Sequence, residues 1–316
     1  MIVVIGVHIL DVLGRHVSEI PPGQGIALID EIRITAAGTA AGTAVDHAKL
    51  GCDDVIAVGA VGRDEMGSIL IGIMSRHGVN TDHITRKEGV QTSGSILPIR
   101  SNGERPGLHC IGANGQFCLA DVPTSLLKAA RFVHIGGFFL MPKFDGRDTV
   151  EVLRLAKEAG AITTMDVLGF PREGMAELIM PCMPHLDYFM PNEEEAAMIT
   201  GLSEPEGMCS VFLAAGAMCV CLKMGHRGSL VLCASGERHR VPAYSVNVVD
   251  TTGCGDAWSA GFIAGLSRGM PLAQAARLGS ACGSLAASGL GSDAGLVDLD
   301  SALTFMRDAP TLPLGD

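Results

Sequence analysis

Apolar residues in this chain fall in short runs cut by glycine, and the runs alternate in kind. DVIAVGAVG (54–62) is continuously apolar, as a strand buried on both faces reads. DEMGSILIGIMSRHG (64–78) follows with apolar residues at helical spacing and Gly78 as its stop. RFVHIGGFF precedes GRDTVEVLRLAKEAG, AITTMDVLG precedes REGMAELIM, and DYFMP precedes NEEEAAMITG, where Asn192 has the chemistry of an N-cap. AMCVCLKMG and GSLVLC read as two further strands. The last third is helical, in GDAWSAGFIAGLSRG and PLAQAARLGSACGSLAASG. Repeated β-α alternation predicts a mostly parallel sheet with helices on both faces. The opening MIVVIGVHILDVLG reads as one buried first strand rather than a leader peptide.

Two segments break the rhythm. Residues 12–35 and 92–112 alternate weakly and carry the turn chemistry of Pro-Pro-Gly and Asn-Gly. They are expected to be antiparallel strands inserted into an otherwise single domain spanning 1–316. There they form a small β-sheet lid beside the crevice at the carboxyl ends of the main strands; two unrelated surface hairpins are the alternative.

Composition narrows the function. The chain has 316 residues and a formal net charge of -11, which argues against a partner bound through its phosphate backbone, as nucleic acids are. No run reaches the ~20 apolar residues of a membrane span. The ten cysteines show no closed metal-site spacing and no disulfide framework, so free thiols in a reducing cytoplasm are expected. The first strand is not followed by G-x-G-x-x-G, which disfavours a nicotinamide enzyme, and no Walker loop is present.

The chemistry concentrates in TTGCGDAWSAGF (251–262). A glycine turn at a helix start leaves backbone N–H groups pointing together, and the helix dipole adds to them, so the turn can hold an anion. Asp256 stands beside that site. A carboxylate next to bound phosphate is costly unless it acts, for instance by taking a proton from an attacking hydroxyl. A plain turn with a helix-capping Asp256 is the other reading.

The stretch resembles the C-terminal signature of the PfkB (ribokinase-like) carbohydrate kinases, D-T-x-G-A-G-D, with Cys254 in the alanine position. AAGTAAGTAVDHAKLG with AVGAVGRDEMG and HGV resembles that family's N-terminal signature. PNEEEA resembles its N-x-x-E motif, and LKMGHRGSLV its nucleotide-side strand-loop-strand. The resemblance implies a ribokinase-like three-layer α/β/α fold and transfer of the ATP γ-phosphoryl to a sugar hydroxyl. Asp256 is then the general base, and the N–H groups of Gly253, Cys254 and Gly255 steady the transferring group. Asn192 and Glu195 organise Mg²⁺ through water, unless they are only a cap and an acidic first turn. Asn192, Lys223, Gly225 and Gly228 fall on the nucleotide side.

On the sugar side the resemblance puts Asp11, Gly38, Thr39 and Gly42; Arg105 and His109, from their place in the second insertion, are expected to reach the acceptor from the lid. Asp11 as an ordinary strand-end carboxylate, and Arg105 and His109 as solvated hairpin residues, remain open. Gly42 and Leu168 stand where the family has asparagines. Asp250 suggests a monovalent-cation site with carbonyls near SGLGSDAG, where Gly295 takes the last hydroxyl position, so K⁺ joins ATP and Mg²⁺ as an expected ion. A homodimer through the lid is expected. A nucleoside kinase and a non-catalytic sugar or nucleotide sensor are the rivals. A chain only 4% aromatic has few rings to stack on a nucleobase, which favours the sugar, although Phe138, Phe139 or Phe170 could still line the pocket. Asn102 is among the lid groups expected to meet hydroxyls.

Overall fold

The computed structural model describes residues 1–101, 104–169, 173–292 and 294–314; Asn102 and Phe170 lie outside them. The chain starts in β1 (Ile2–Gly6), leaves for β2 (Ile9–Arg15) and β3 (Glu31–Ala37), and returns through α1 (Thr39–Lys49) to β4 (Val55–Gly62), α2 (Glu65–Arg76) and β5 (Asn80–Lys87). A second excursion makes β6 (Gly94–Ile99) and β7 (Leu108–Cys110). Then come α3 (Thr124–Ala129), β8 (Phe132–Phe138), α4 (Arg147–Glu158), β9 (Ile162–Val167), α5 (Met175–Ile179), β10 (Tyr188–Phe189), α6 (Glu193–Thr200) and α7 (Pro205–Ala214). The hairpin strands β11 (Cys219–Lys223), β12 (Ser229–Cys233) and β13 (Arg238–Val241) precede helices α8 (Cys254–Ser267), α9 (Leu272–Ala286) and α10 (Leu299–Asp308).

The main sheet runs β13-β12-β11-β10-β9-β8-β1-β4-β5, parallel from β11 to β5 and antiparallel across β11-β12-β13. Period-two alternation divides its core. Val3 and Ile5 of β1 face the layer containing α4 to α7, whereas Ile2 and Val4 face α1, α2, α8 and α9. The three-layer α/β/α arrangement is therefore present.

The excursions pair as a second, four-stranded sheet, β3-β2-β6-β7. β2-β3 and β6-β7 are antiparallel as expected, but β2 and β6 run parallel; they follow β1 and β5, two parallel strands of the body with β4 between them. The opening run is also two strands, not one. The break falls at Gly6, whose φ is 147° and whose missing Cβ would lie 1.9 Å from the Gly136 carbonyl oxygen. After it, buried His8 donates Nδ1–H to Gly6 O at 2.8 Å, and Asn114 grips its backbone on both sides. Leu13, Leu97 and Ile99 on the inner lid face pack against Leu290 and Val249 of the body.

The free-thiol expectation needs one correction. Cys219 and Cys233 stand opposite one another on β11 and β12 and are joined as a disulfide, because adjacent-strand register brings together residues the sequence separates. Cys52, Cys110, Cys118, Cys182, Cys209, Cys221, Cys254 and Cys282 are free.

The close approach at Gly6 is testable. Gly6→Ala should cost ~3 kcal/mol or more in urea unfolding, since both the φ and the opposing backbone forbid a side chain. An unchanged midpoint would contradict the packing described.

Candidate active site

The anion turn is built from glycine conformation. Gly253 caps α8 in the left-handed region, at φ 77°, and its missing Cβ would meet Ser292 Cα at 2.7 Å. Cys254 N–H leans back on Thr251 O at 3.4 Å, while the rest of the first helical turn has no intrahelical acceptor. Lys223, at the end of β11, brings Nζ to 3.3 Å from the point where a Gly255 Cβ would stand. Backbone donors and an ammonium thus converge on one small volume.

Asp256 follows on α8 and is buried against α1. The contact is Gly42, where a Cβ would lie 2.6 Å from Asp256 Oδ2. Gly42 therefore sits behind Asp256 and is not on the cavity wall. Its departure from the family pattern makes room for the carboxylate. Burial pushes the Asp256 carboxyl well above the ordinary carboxylate range, neighbouring Asp166 adds to this, and Lys223 opposes it.

The lid supplies a polar row. Thr35, Asp11, Ser95 and His109 are in register across β3-β2-β6-β7. Ser95 Oγ and His109 Nδ1 are 3.1 Å apart. Asp11 is buried, its Oδ1 has no hydrogen-bond partner, and desolvation pushes it up to about 6 against the pull of Ser95 and Arg105. Partial burial lowers His109. Arg105 reaches across to the body, donating Nη1–H to Thr252 Oγ1 at 2.8 Å. Asp250 uses both carboxylate oxygens inside the protein: Oδ1 accepts from Thr252 N and Oγ1, and Oδ2 accepts from Gly291 N.

One cavity of about 1140 Å³ joins these parts. Asp11, Gly38, Thr39, Arg105 and His109 line the end under the lid, Lys223, Asn192, Glu195, Gly225 and Gly228 the other, Asp256 with the turn lies between, and Leu168 lies on the same cavity's wall. Chains already known match this arrangement. The pfkB family carbohydrate kinase profile matches residues 1–298. The chain belongs to the PfkB family of carbohydrate kinases.

Related sequences include fructokinase-1 of Oryza sativa subsp. japonica, 27% identical over 92% of this chain and 94% of that one. The 2-dehydro-3-deoxygluconokinase of Bacillus subtilis is 24% identical over 80% and 81%. Among solved structures, ribokinase of Thermotoga maritima superposes with a TM-score of 0.82 at 22% identity, covering 97% of this chain and 99% of that one. An E. coli protein solved with ATP and Mg²⁺ gives 0.82 at 23% identity over 97% and 98%. This PfkB protein is an ATP-dependent carbohydrate kinase that uses ATP and Mg²⁺. No helix among its described residues is long and apolar enough to cross a membrane.

In this PfkB kinase the cavity end that holds Asn192 and Glu195 also tests the fit of the metal. Asn192 and Glu195 form a reciprocal capping box on α6: Glu195 N–H donates to Asn192 Oδ1, and Asn192 N–H to Glu195 Oε2, each at 2.8 Å. Burial lifts Glu195 to about 7, and Lys223 draws it back. Among the described residues no three His, Cys, Asp or Glu side chains converge to hold a metal directly. Oxygen donors already engaged by the backbone suit Mg²⁺, which keeps several of its waters. Gly228 serves the hairpin first, since a Cβ there would meet Val241 O at 1.9 Å.

Several cavity residues went unnoticed in the sequence. Ser95 enters through its register with Asp11, and Tyr244, Trp258 and Ser284 through the packing of α8 and α9. Leu312 enters because the C-terminal segment returns to Ala243 O. Only Trp258 had a signal, two places after Asp256 on one helix. Phe138 and Phe139 are buried in the core and do not line the cavity.

Asp11 carries a linkage prediction. Its folded carboxyl holds a proton more tightly than its unfolded one, so its stabilising contribution is full below the ordinary range and is lost as pH rises through about 6. Asp11→Asn should match the parent near pH 4, exceed its stability by ~1–3 kcal/mol at pH 7.5, and raise the acceptor KM. Thermal unfolding across pH checks the sign; a variant less stable at pH 7.5 would contradict it.

Proposed function

We propose that this PfkB kinase phosphorylates a sugar or sugar-like polyol, with Asp256 as general base. The observation that carries the reading is one cavity holding the Asp11 carboxylate with its Oδ1 unpartnered, the buried Asp256 carboxylate and the glycine turn. Asp11 and its polar row bind acceptor hydroxyls. Asp256 orients the reacting hydroxyl and removes its proton as the phosphoryl group moves. The N–H groups at Gly253, Cys254 and Gly255, together with Lys223, hold the charge that develops on the equatorial oxygens. Mg²⁺, held through water by Asn192 and Glu195, would neutralise the nucleotide phosphates.

A sugar is favoured over a nucleoside by the cavity wall. Its described aromatic residues, Tyr244 and Trp258, belong to the nucleotide end, and the lid end offers hydroxyl, carboxylate and imidazole groups instead. Coupled ADP release over a panel of sugars and nucleosides tests this. A sugar should give the highest kcat/KM; a nucleoside well above every sugar would replace the reading.

Asp256→Asn should retain ATP binding, read from the single tryptophan Trp258, and lose ~10²–10⁴ in kcat. Near-normal turnover would remove Asp256 from the mechanism.

We also propose that the lid's outer face pairs with a second copy. Ile32, Ile96 and Leu108 are 69%, 58% and 68% exposed there, and Ile34 and Val12 complete the row. So apolar a patch marks an interaction surface, and a second copy matches it by symmetry. Light scattering should give a dimer that Ile96→Glu dissociates; a monomeric parent would overturn this.

A further inference from the structure

Arg105 lies in the lid between β6 and β7, yet its firm contact is in the body. Nη1 donates to Thr252 Oγ1 at 2.8 Å, and Nε stands 4.0 Å from Asp250 Oδ1. Thr252 is itself fixed by Asp250, which accepts from its N–H at 3.0 Å and its hydroxyl at 2.8 Å. Asp250 in turn anchors Gly291 N–H at 2.9 Å, and the next loop residue, Ser292, donates its hydroxyl to the lid carbonyl Ala36 O at 2.8 Å. Gly253, the residue after Thr252, packs on Ser292 in the left-handed conformation that opens α8. Lid, loop 291–292 and anion turn are therefore joined through a single run of hydrogen bonds.

The charge arrangement points the same way. The Arg105 guanidinium favours the ionised form of Asp11 in the lid while standing beside Asp250 in the body. It thus lies between the carboxylate that meets the acceptor and the turn that meets the phosphoryl group. A guanidinium presents five N–H donors in a fixed fork, so it can hold both sides in one geometry, which a neutral side chain cannot.

We infer that Arg105 is a positioning residue through which lid closure sets the shape of the 250–255 turn. When the lid is down, Arg105 fixes the Thr252 hydroxyl, Thr252 fixes its own backbone through Asp250, and the N–H groups of 253–255 point into the cavity. When the lid lifts, the turn loses its outer strut. Closing over an acceptor then completes the anion site, so phosphoryl transfer to water is disfavoured while the acceptor is absent. The kinetic consequence rests on the sugar-kinase reading; the coupling itself does not.

Arg105→Met and Thr252→Val, alone and combined, test it in two arms. The first arm uses ligand-free protein and reads amide hydrogen exchange over 251–256. Loss of one charge-assisted hydrogen bond should speed exchange ~10–100-fold in each single variant, and the double variant should be no faster than the quicker single. The second arm is steady-state kinetics with the best acceptor. There kcat should fall ~10–100-fold in each single with the ATP KM within about twofold, the double should again match the worse single, and Arg105→Lys should recover part of the loss. Additive effects, a silent Thr252→Val, or an Arg105→Met that raises only the acceptor KM with exchange unchanged would overturn the inference. If the parent phosphorylates no acceptor, the sugar-kinase reading fails while the exchange arm still decides this one.

Discussion

The site depends on how many carboxylates the cavity confines around one ammonium. Asp166, Glu195 and Asp256 all lie close enough to Lys223 to feel its charge, and all are buried. Their environments separate them. Burial pushes Asp166 upward, but its neighbour His134, Lys223 and the Gly137 N–H outweigh that and hold it below the ordinary range. Burial wins at Glu195 and at Asp256, and the charge kept on Asp166 raises both further. Two carboxylates beside one ammonium are thus pushed apart, Asp166 toward its ionised form and Asp256 toward tighter proton binding, which is the separation the proposed general-base role needs.

Close backbone approach makes that crowding geometrically feasible. Gly42 lets α1 lie against Asp256, Gly253 lets the turn fold onto Ser292, and Gly255 leaves room for Lys223 Nζ. A methyl group at any of them would push apart the pieces whose nearness shifts the Asp256 carboxyl. The main sheet supplies the fixed part, since Asp166 and Lys223 stand at the carboxyl ends of the parallel strands β9 and β11. The second sheet supplies the polar row Thr35–Asp11–Ser95–His109, which we propose meets the acceptor.

Much of this was legible where the information is local. The strand-helix alternation, the turn with Asp256, and the Asn192–Glu195 cap each lie within a few consecutive residues, and local chemistry determines them. What the sequence hid depends on pairing between distant segments. The row Thr35–Asp11–Ser95–His109 exists only once β2 pairs with β6 in parallel, and the Cys219–Cys233 bond only once β11 and β12 set their register. Gly42 reads in the sequence as a sugar-side position where the family has asparagine, and nothing near it in the chain reveals that α8 brings Asp256 to its face. The opening apolar run concealed a strand break, since hydrophobicity is unaffected by the turn at Gly6 that redirects the chain into the lid.

The central claim is that burial and neighbouring carboxylates make Asp256 an unusually basic aspartate. Carbon-13 labelling of aspartate carboxyls, with Asp256 assigned by its absence in Asp256→Asn, measures this directly by NMR titration. The account predicts that the Asp256 signal titrates well above the ordinary carboxylate range, and higher still in Lys223→Met, where the opposing ammonium is gone. Titration of Asp256 within the ordinary range, unmoved by loss of Lys223, would contradict it.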